Sequence, residues 1–185
     1  VLGDHVKQKG SLVDEHKLRF DFSHDESLSD DEISKIEDLV NQEILKNSSV
    51  STKIMDLEDA KNSGAESLFG EKYEDQVRVL SIGEDDFSLE LCGGTHISRT
   101  GDLGIFIITS QSSVASGVRR IEALSGPRAQ EYLANLKNQT IQLQKLLNAP
   151  AEEIKEKVSK LLKENKKLKK GCLLYTSDAA DDSPS

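Results

Sequence analysis

The chain has 185 residues, of which 31% are charged, and a formal net charge of −9 at pH 7. This acidic balance argues against a general nucleic-acid-binding protein, because duplex affinity comes mainly from the neutralisation of phosphates. The sequence has two cysteines, no signal peptide and no apolar run of about 18 residues, so we expect a cytoplasmic protein without a disulfide framework or a membrane span.

Alternation of apolar and polar residues predicts several half-buried strands in the first 126 residues. These candidate strands lie near residues 18–22, 50–54, 77–82, 87–91, 103–109 and 118–124. After the first strand, Ser29 and Glu32 have the capping-box spacing that begins a helix, and apolar residues from Ile33 to Ile44 recur at helical intervals. A shorter helix is predicted over residues 56–62, ended by Gly64.

Short, turn-like links join most of these elements, and strands do not alternate regularly with helices along the chain. This pattern favours an α+β fold with a mainly antiparallel, mixed sheet and helices on one face. About 125 residues are enough for one such core.

After Pro127 the pattern changes to two long helices, predicted over residues 128–147 and 151–170. Apolar residues at a- and d-like spacing indicate an antiparallel hairpin or coiled coil, which also offers a surface for self-association. These residues are Leu133, Leu136, Leu143 and Leu147 in the first helix, and Ile154, Val158, Leu161 and Leu168, with Asn165, in the second. The alternative is a self-contained hairpin with a solvated lysine face and no further function.

A run of five residues, Cys92-Gly93-Gly94-Thr95-His96, follows the strand predicted over 87–91. Thiolate sulfur and imidazole nitrogen are the ligands that zinc prefers, and glycines allow a ligand to approach the backbone closely. Two donors are fewer than the three or four protein ligands of a zinc site. From the spacing alone, a structural cysteine beside a loop histidine is therefore an alternative.

Five sequence blocks resemble the editing domain of alanyl-tRNA synthetases, in the order in which that family has them. They are GDHVKQKGSLV from Gly3, LRFDFSH from Leu18, LFGEKY from Leu68, LELCGGTHISRTGD from Leu89 and GVRRIEA from Gly117. The resemblance covers residues 1 to about 126. It implies the editing-domain fold of threonyl- and alanyl-tRNA synthetases, followed by helices of the family's linker.

The resemblance implies an activity and a set of site residues. The family's editing site hydrolyses serine and glycine esters of tRNA for alanine, and the zinc ligands implied here are Cys92, His96 and two histidines upstream of Val1. Gln8 matches a glutamine associated with editing, so we expect a polar contact to the aminoacyl group or the attacking water; a surface hydrogen bond near a turn is the alternative. The residues expected to contact the aminoacylated acceptor end are Gly93, Gly94, Thr95, Arg119 and Arg120. For the pair Arg119 and Arg120, a solvated strand edge is the alternative.

Three functions stay open at this point. The first is an incomplete editing domain of an alanine–tRNA ligase whose whole protein also binds ATP and alanine. The second is a free-standing alanyl-tRNA editing hydrolase. The third is a non-catalytic interaction module that works through its helices.

The two ends of the chain carry separate expectations. The first residue is Val1 and the following residues read as the middle of a domain, so we expect an editing domain over 1–126 that lacks its N-terminal zinc-binding helix. A helical linker is expected over 127–171. Residues 172–185 resemble a translated transposase adapter, or else a disordered polar tail, and we expect no function from them.

The remaining polar candidates receive structural interpretations. His5 and His24 are expected to be structural imidazoles with satisfied hydrogen bonds, and His16 to be an exposed turn residue. Consecutive carboxylates at residues 84–86 are expected to form a solvated turn rather than a cation site.

Overall fold

The computed structural model describes residues 1–66, 74–83 and 87–178, which form two compact units, Val1–Tyr132 and Leu133–Ser185. Three parts of the sequence interpretation lie outside the described residues, namely the block at 68–73, the carboxylates at 84–86 and the end of the tail from residue 179. Among the described helices, none has the length and apolar character needed to span a bilayer.

The first unit contains a four-stranded antiparallel sheet. Its strands are β1 (Gln8–Val13), β2 (Leu18–Ser23), β6 (Phe106–Ala115) and β7 (Val118–Ser125), in the order β1-β2-β7-β6. Phe20 of β2 lies opposite Ile121 of β7, and both belong to the side of the sheet that packs on the core with Phe22 and Leu28.

A second antiparallel sheet has the order β3-β4-β5. Its strands are β3 (Val50–Asp56), β4 (Gln76–Ile82) and β5 (Ser88–Leu91). Val77, Val79 and Leu91 point to one face and pack on Ala60. Because side chains alternate along a strand, Arg78 points to the opposite face.

Helices cover both sheets. Helix α1 (Asp30–Lys46) begins with the predicted capping box between Ser29 and Glu32, and its Ile33 and Ile36 pack on the core of the four-stranded sheet. Helix α2 (Leu57–Asn62) carries Ala60, which is fully buried against the three-stranded sheet.

Two long helices follow. Helix α3 (Gly126–Leu147) begins at Gly126, whose φ is +56° and whose missing Cβ would lie 3.2 Å from the carbonyl oxygen of Leu103. A 3₁₀ turn (Ala151–Glu153) leads into α4 (Ile154–Asp178). The predicted apolar stripe of α4 is largely exposed: Leu161 is 49% and Leu168 74% accessible to solvent.

The α+β class and the antiparallel pairing are confirmed, with three differences from the sequence prediction. There are two sheets instead of one. Strand β1 was not predicted. Strand β6 begins at Phe106 and continues to Ala115, because residues 100–103 form a 3₁₀ turn rather than the start of the strand.

Candidate functional site

The loop of residues 92–99 leaves the end of β5 and is held by the neighbouring strand. The backbone N–H of Cys92 donates to the carbonyl oxygen of Arg78 at 3.1 Å, which continues the β4–β5 pairing by one step. Cys92 is half-buried, whereas residues 93–96 are exposed. A rigid strand end therefore presents an open glycine loop to solvent.

The two predicted metal donors converge on Gly94. A Cβ at position 94 would lie 3.7 Å from Cys92 Sγ and 3.9 Å from His96 Nε2. The absence of a side chain at this position leaves free the space that both donors face. Thiolate and imidazole are suitable zinc ligands, so the pair fits half of a tetrahedral zinc site. Within the described part of the chain, no group of three or more His, Cys, Asp or Glu side chains is placed to hold a metal ion.

Arg78 braces the loop from β4. One terminal nitrogen of its guanidinium lies 2.6 Å from the carbonyl oxygen of Gly94 and 3.0 Å from Nδ1 of His96. Its Nε is buried and has no hydrogen-bond partner among the described residues. The arginine thus fixes both the loop backbone and the histidine ring.

The far end of the loop is tied to the end of α1. Thr100 is 3% exposed; its N–H donates to the carbonyl of Ser48, and its hydroxyl donates to the carbonyl of Glu43. The guanidinium of Arg99 donates to the side chain and backbone oxygens of Asn47. At Gly101 a Cβ would lie 2.5 Å from Asn47 Oδ1, so a larger residue there would push the Asn47 side chain away from Arg99. Residues 99–101 of the sequence block are therefore an anchor.

Gln8 lies at the start of β1, in the four-stranded sheet. Its Nε2 donates to Ser11 Oγ at 3.3 Å. Cys92 and His96 follow a strand of the other sheet, and within the described residues no hydrogen bond joins them to Gln8. The structure thus places Gln8 and the two donors on separate elements.

Arg119 and Arg120 point to opposite faces of β7, as neighbours in a strand do. Arg120 makes a two-pronged contact with Asp21, at 2.6 and 2.8 Å, and Arg119 donates to Gln111 Oε1 at 3.1 Å. Strand β7 lies between β2 and β6, so the alternative interpretation of a strand edge is wrong. The two guanidinium groups do not form one local cation pair.

The Asp21 contact has an electrostatic consequence. The hydrogen bond from Arg120, supported by the nearby charges of Arg120 and Arg19, lowers the pKa of the Asp21 carboxyl below its ordinary value. Elsewhere in the same sheet, Lys17, just before β2, and Ser110 of β6 donate hydrogen bonds to Glu122 of β7 and lower the pKa of its carboxyl. The charges of Arg120 and Lys17 are thus paired with carboxylates of the same sheet.

The histidines outside the loop have the surroundings that the sequence interpretation expects: two are hydrogen-bonded and one is exposed in a turn. His5 Nε2 and His24 Nδ1 are 2.9 Å apart, and the two rings stack with centroids 5.2 Å from each other. His16 is exposed in the turn between β1 and β2, where its N–H donates to Asp14.

Sequence reasoning missed Arg78. A signal was present, because this residue is a lone arginine between two apolar residues of a candidate strand, Val77 and Val79. A partly buried guanidinium needs hydrogen-bond acceptors. The structure shows that its acceptors belong to the Cys92–His96 loop.

Comparison with known proteins gives two kinds of match. Residues 77–122, which include Arg78 and the Cys92–His96 loop, match the family described as the threonyl and alanyl tRNA synthetase second additional domain. The chain is 48% identical over 186 residues to the alanine–tRNA ligase of Ruthia magnifica subsp. Calyptogena magnifica, and 50% identical over 183 residues to that of Saccharophagus degradans.

These matches cover 98% and 99% of the chain but only 22% and 21% of the two ligases. The chain thus spans about a fifth of the length of these relatives.

Proposed function

This chain is an editing-domain segment of the alanyl-tRNA synthetase family. From this premise, we propose that its first unit hydrolyses the ester bond that joins a wrong amino acid, serine or glycine, to the tRNA for alanine. The observation that carries the proposal is the convergence of Cys92 Sγ and His96 Nε2 on the space above Gly94. Similarity to a fifth of each ligase favours a part of such an enzyme over a free-standing hydrolase.

The need for a second site follows from the limits of a binding pocket. A pocket that selects alanine by size cannot exclude glycine, which is smaller. It also rejects serine weakly, since an added hydroxyl changes binding little. Hydrolysis of the wrong ester at a separate site provides the missing selectivity.

In this function, Cys92 and His96 hold zinc, with two further histidines supplied by the longer protein. When bound, zinc either lowers the pKa of a water molecule toward about 7 or orients the ester. The other residues of the loop admit and position the substrate. Gly93, Gly94 and Thr95 leave the backbone open to the aminoacyl group, and the anchor at 99–101 fixes the position of the loop.

The partner is the aminoacylated acceptor end of tRNA. An acidic segment need only hold this end locally, while the rest of the ligase supplies most of the affinity for tRNA. Arg119 and Arg120 stay the proposed contacts with this end, and each has to leave its present partner, Gln111 or Asp21, to make such a contact. ATP and alanine bind elsewhere in the whole protein, and the proposed location is the cytoplasm.

Deacylation of Ser-tRNA for alanine by the full-length ligase tests the proposal. Cys92→Ala and His96→Ala should each lower the hydrolysis rate by about 100-fold, because loss of a donor leaves the metal poorly fixed. His16→Ala, which changes an exposed histidine in a turn, is the matched control and should hydrolyse normally. Alanine attachment should be unchanged in all three variants. Normal hydrolysis by both loop variants would refute the proposal.

Gln8→Ala is a separate and weaker test. If Gln8 contacts the aminoacyl group or the water, hydrolysis should fall by about 10- to 100-fold without loss of zinc. Unchanged hydrolysis would refute the role of Gln8 but not the roles of Cys92 and His96. The exposed hydrogen bond from Gln8 to Ser11 would then be its one described side-chain contact.

We expect the isolated 185-residue chain to hold zinc weakly and to hydrolyse the ester slowly or not at all. Two protein donors supply about half of the ligands of a typical site. Metal analysis after dialysis should find well under one zinc per chain. A full equivalent that resists chelation would show that other side chains of this chain complete the site.

A second role is proposed for the helices, namely self-association. Leu161 and Leu168 of α4, at 49% and 74% exposure, lie at heptad-like spacing and are available to a second copy. Sedimentation analysis should show a concentration-dependent dimer that Leu161→Asp abolishes. Lys160→Asp, beside it on α4, changes the charge outside the stripe and should leave the dimer intact. A monomer at all concentrations would refute this role.

A further inference from the structure

Arg78 makes a contact that bears directly on how His96 can bind a metal. The guanidinium is always protonated and can only donate. At 3.0 Å from Nδ1 of His96, it therefore requires a lone pair on that nitrogen. In a neutral imidazole with a lone pair on Nδ1, the ring proton is on Nε2.

Both routes to metal ligation conflict with this hydrogen bond. If His96 binds a metal through Nδ1, the metal takes the lone pair that Arg78 uses. If His96 binds through Nε2, which faces the space above Gly94, the ring proton must move to Nδ1 and then faces an N–H of the guanidinium. Two donors cannot share a hydrogen bond, so each route separates Arg78 from His96.

We propose that Arg78 competes with a divalent metal ion for His96, and thereby weakens metal binding by the Cys92–His96 pair. This inference rests on the proposed ligation by that pair. It assigns to Arg78 a positioning role that the editing proposal does not contain: the guanidinium holds the loop through Gly94 and His96 until a bound metal displaces it from the ring.

The charge of Arg78 acts in the same direction. A cation beside His96 repels a divalent ion, with a strength that water and salt reduce at this exposed loop. The second contact, from the guanidinium to the carbonyl oxygen of Gly94 at 2.6 Å, uses no group that the metal needs. Arg78 can keep this contact after it leaves the histidine.

Calorimetric titration of the 185-residue chain with Zn²⁺, after chelation and at pH 7, tests the inference. Arg78→Met removes the donors and the charge but keeps a long side chain. We expect its dissociation constant for Zn²⁺ to fall about tenfold, because a hydrogen bond from a charged donor contributes on the order of that factor. Arg78→Lys keeps the charge and should bind Zn²⁺ less tightly than Arg78→Met.

Lys53→Met is the matched control. It removes one positive charge from the neighbouring strand β3, opposite Val79, and should bind Zn²⁺ as the unchanged chain does. An Arg78→Met chain that binds Zn²⁺ equally or more weakly than the unchanged chain would overturn the inference. Cys92→Ala separates this failure from that of the proposed function, because unchanged Zn²⁺ binding by Cys92→Ala would refute the ligation itself.

A measurement on the unchanged chain avoids any effect of substitution on folding. Nitrogen NMR of the His96 ring and of the Arg78 guanidinium should show their hydrogen bond without metal and its loss at saturating Zn²⁺. A hydrogen bond that persists at saturation would overturn the competition.

Discussion

The sheet unit buries a core of large apolar side chains, whereas α4 exposes its large apolar side chains from Val158 to Leu168. Phe22 and Leu28 are 3% and 4% exposed, whereas Leu162 of α4 is 67% exposed. Both regions have an apolar pattern with the correct period. The difference is that β2 and α1 bury their apolar faces against each other, while the apolar side chains of α4 between Val158 and Leu168 are in contact with water. Periodicity therefore predicts the element, but burial requires an opposing surface.

The largest expected effect is loss of the sheet core. Phe22→Ala should lower the free energy of unfolding by about 3–5 kcal/mol, because it leaves a cavity between β2 and α1. Leu162→Ala is the matched substitution on α4 and should change stability by no more than about 0.5 kcal/mol. Urea denaturation followed by circular dichroism measures both. Equal losses would contradict the contrast between the two regions.

A smaller effect concerns polar groups of the sheet unit. Asp21 is 8% exposed and is held by Arg120, so Asp21→Asn should cost roughly 2 kcal/mol at pH 7 through the weakened contact. Asp14→Asn, in an exposed turn, is the control with the smaller expected loss.

The same carboxylate makes stability depend on pH. Because the pKa of Asp21 is lowered from the ordinary value of 3.8, the unfolded chain takes up a proton at higher pH than the folded chain does. The stabilisation is present above that value and is lost as pH falls below it toward the folded pKa. Thermal melts between pH 7 and pH 2 should show a shallower acid loss in Asp21→Asn. Identical slopes would show that the pKa of Asp21 is the same in the folded and unfolded chains and would contradict the prediction.

Local patterns predicted most of the elements. The Ser29 capping box marked the start of α1, and Gly64 follows the end of α2. Strand β1 was missed because its sequence, Gln8–Val13, mixes polar residues and a glycine without clean alternation. The second half of β6, with Ser110, Ser112 and Ser113, was missed because its polar side chains pair with β7 without an apolar signal.

The candidate site was predicted in part. Cys92 and His96 follow β5 as expected, and both approach Gly94, while their role as a zinc ligand pair stays a prediction. Arg78 could not be assigned from the sequence, since its partner is 18 residues away on the loop. Arg119 and Arg120 were grouped by adjacency, although neighbours in a strand face opposite sides.

The smallest expected effect tests the end of the helical unit. Deletion of residues 172–185 should leave the melting temperature of the sheet unit unchanged within error. Helix α4 already exposes its apolar residues before this point, and the deleted segment is rich in aspartate, serine and alanine, which offer little apolar surface to offset the entropy of ordering. Phe22→Ala, melted in parallel, shows that the assay detects a real loss. A fall of several degrees on deletion would mean that these residues pack on the folded protein, and the contrast between the two regions would then have to be restricted to α4 before Cys172.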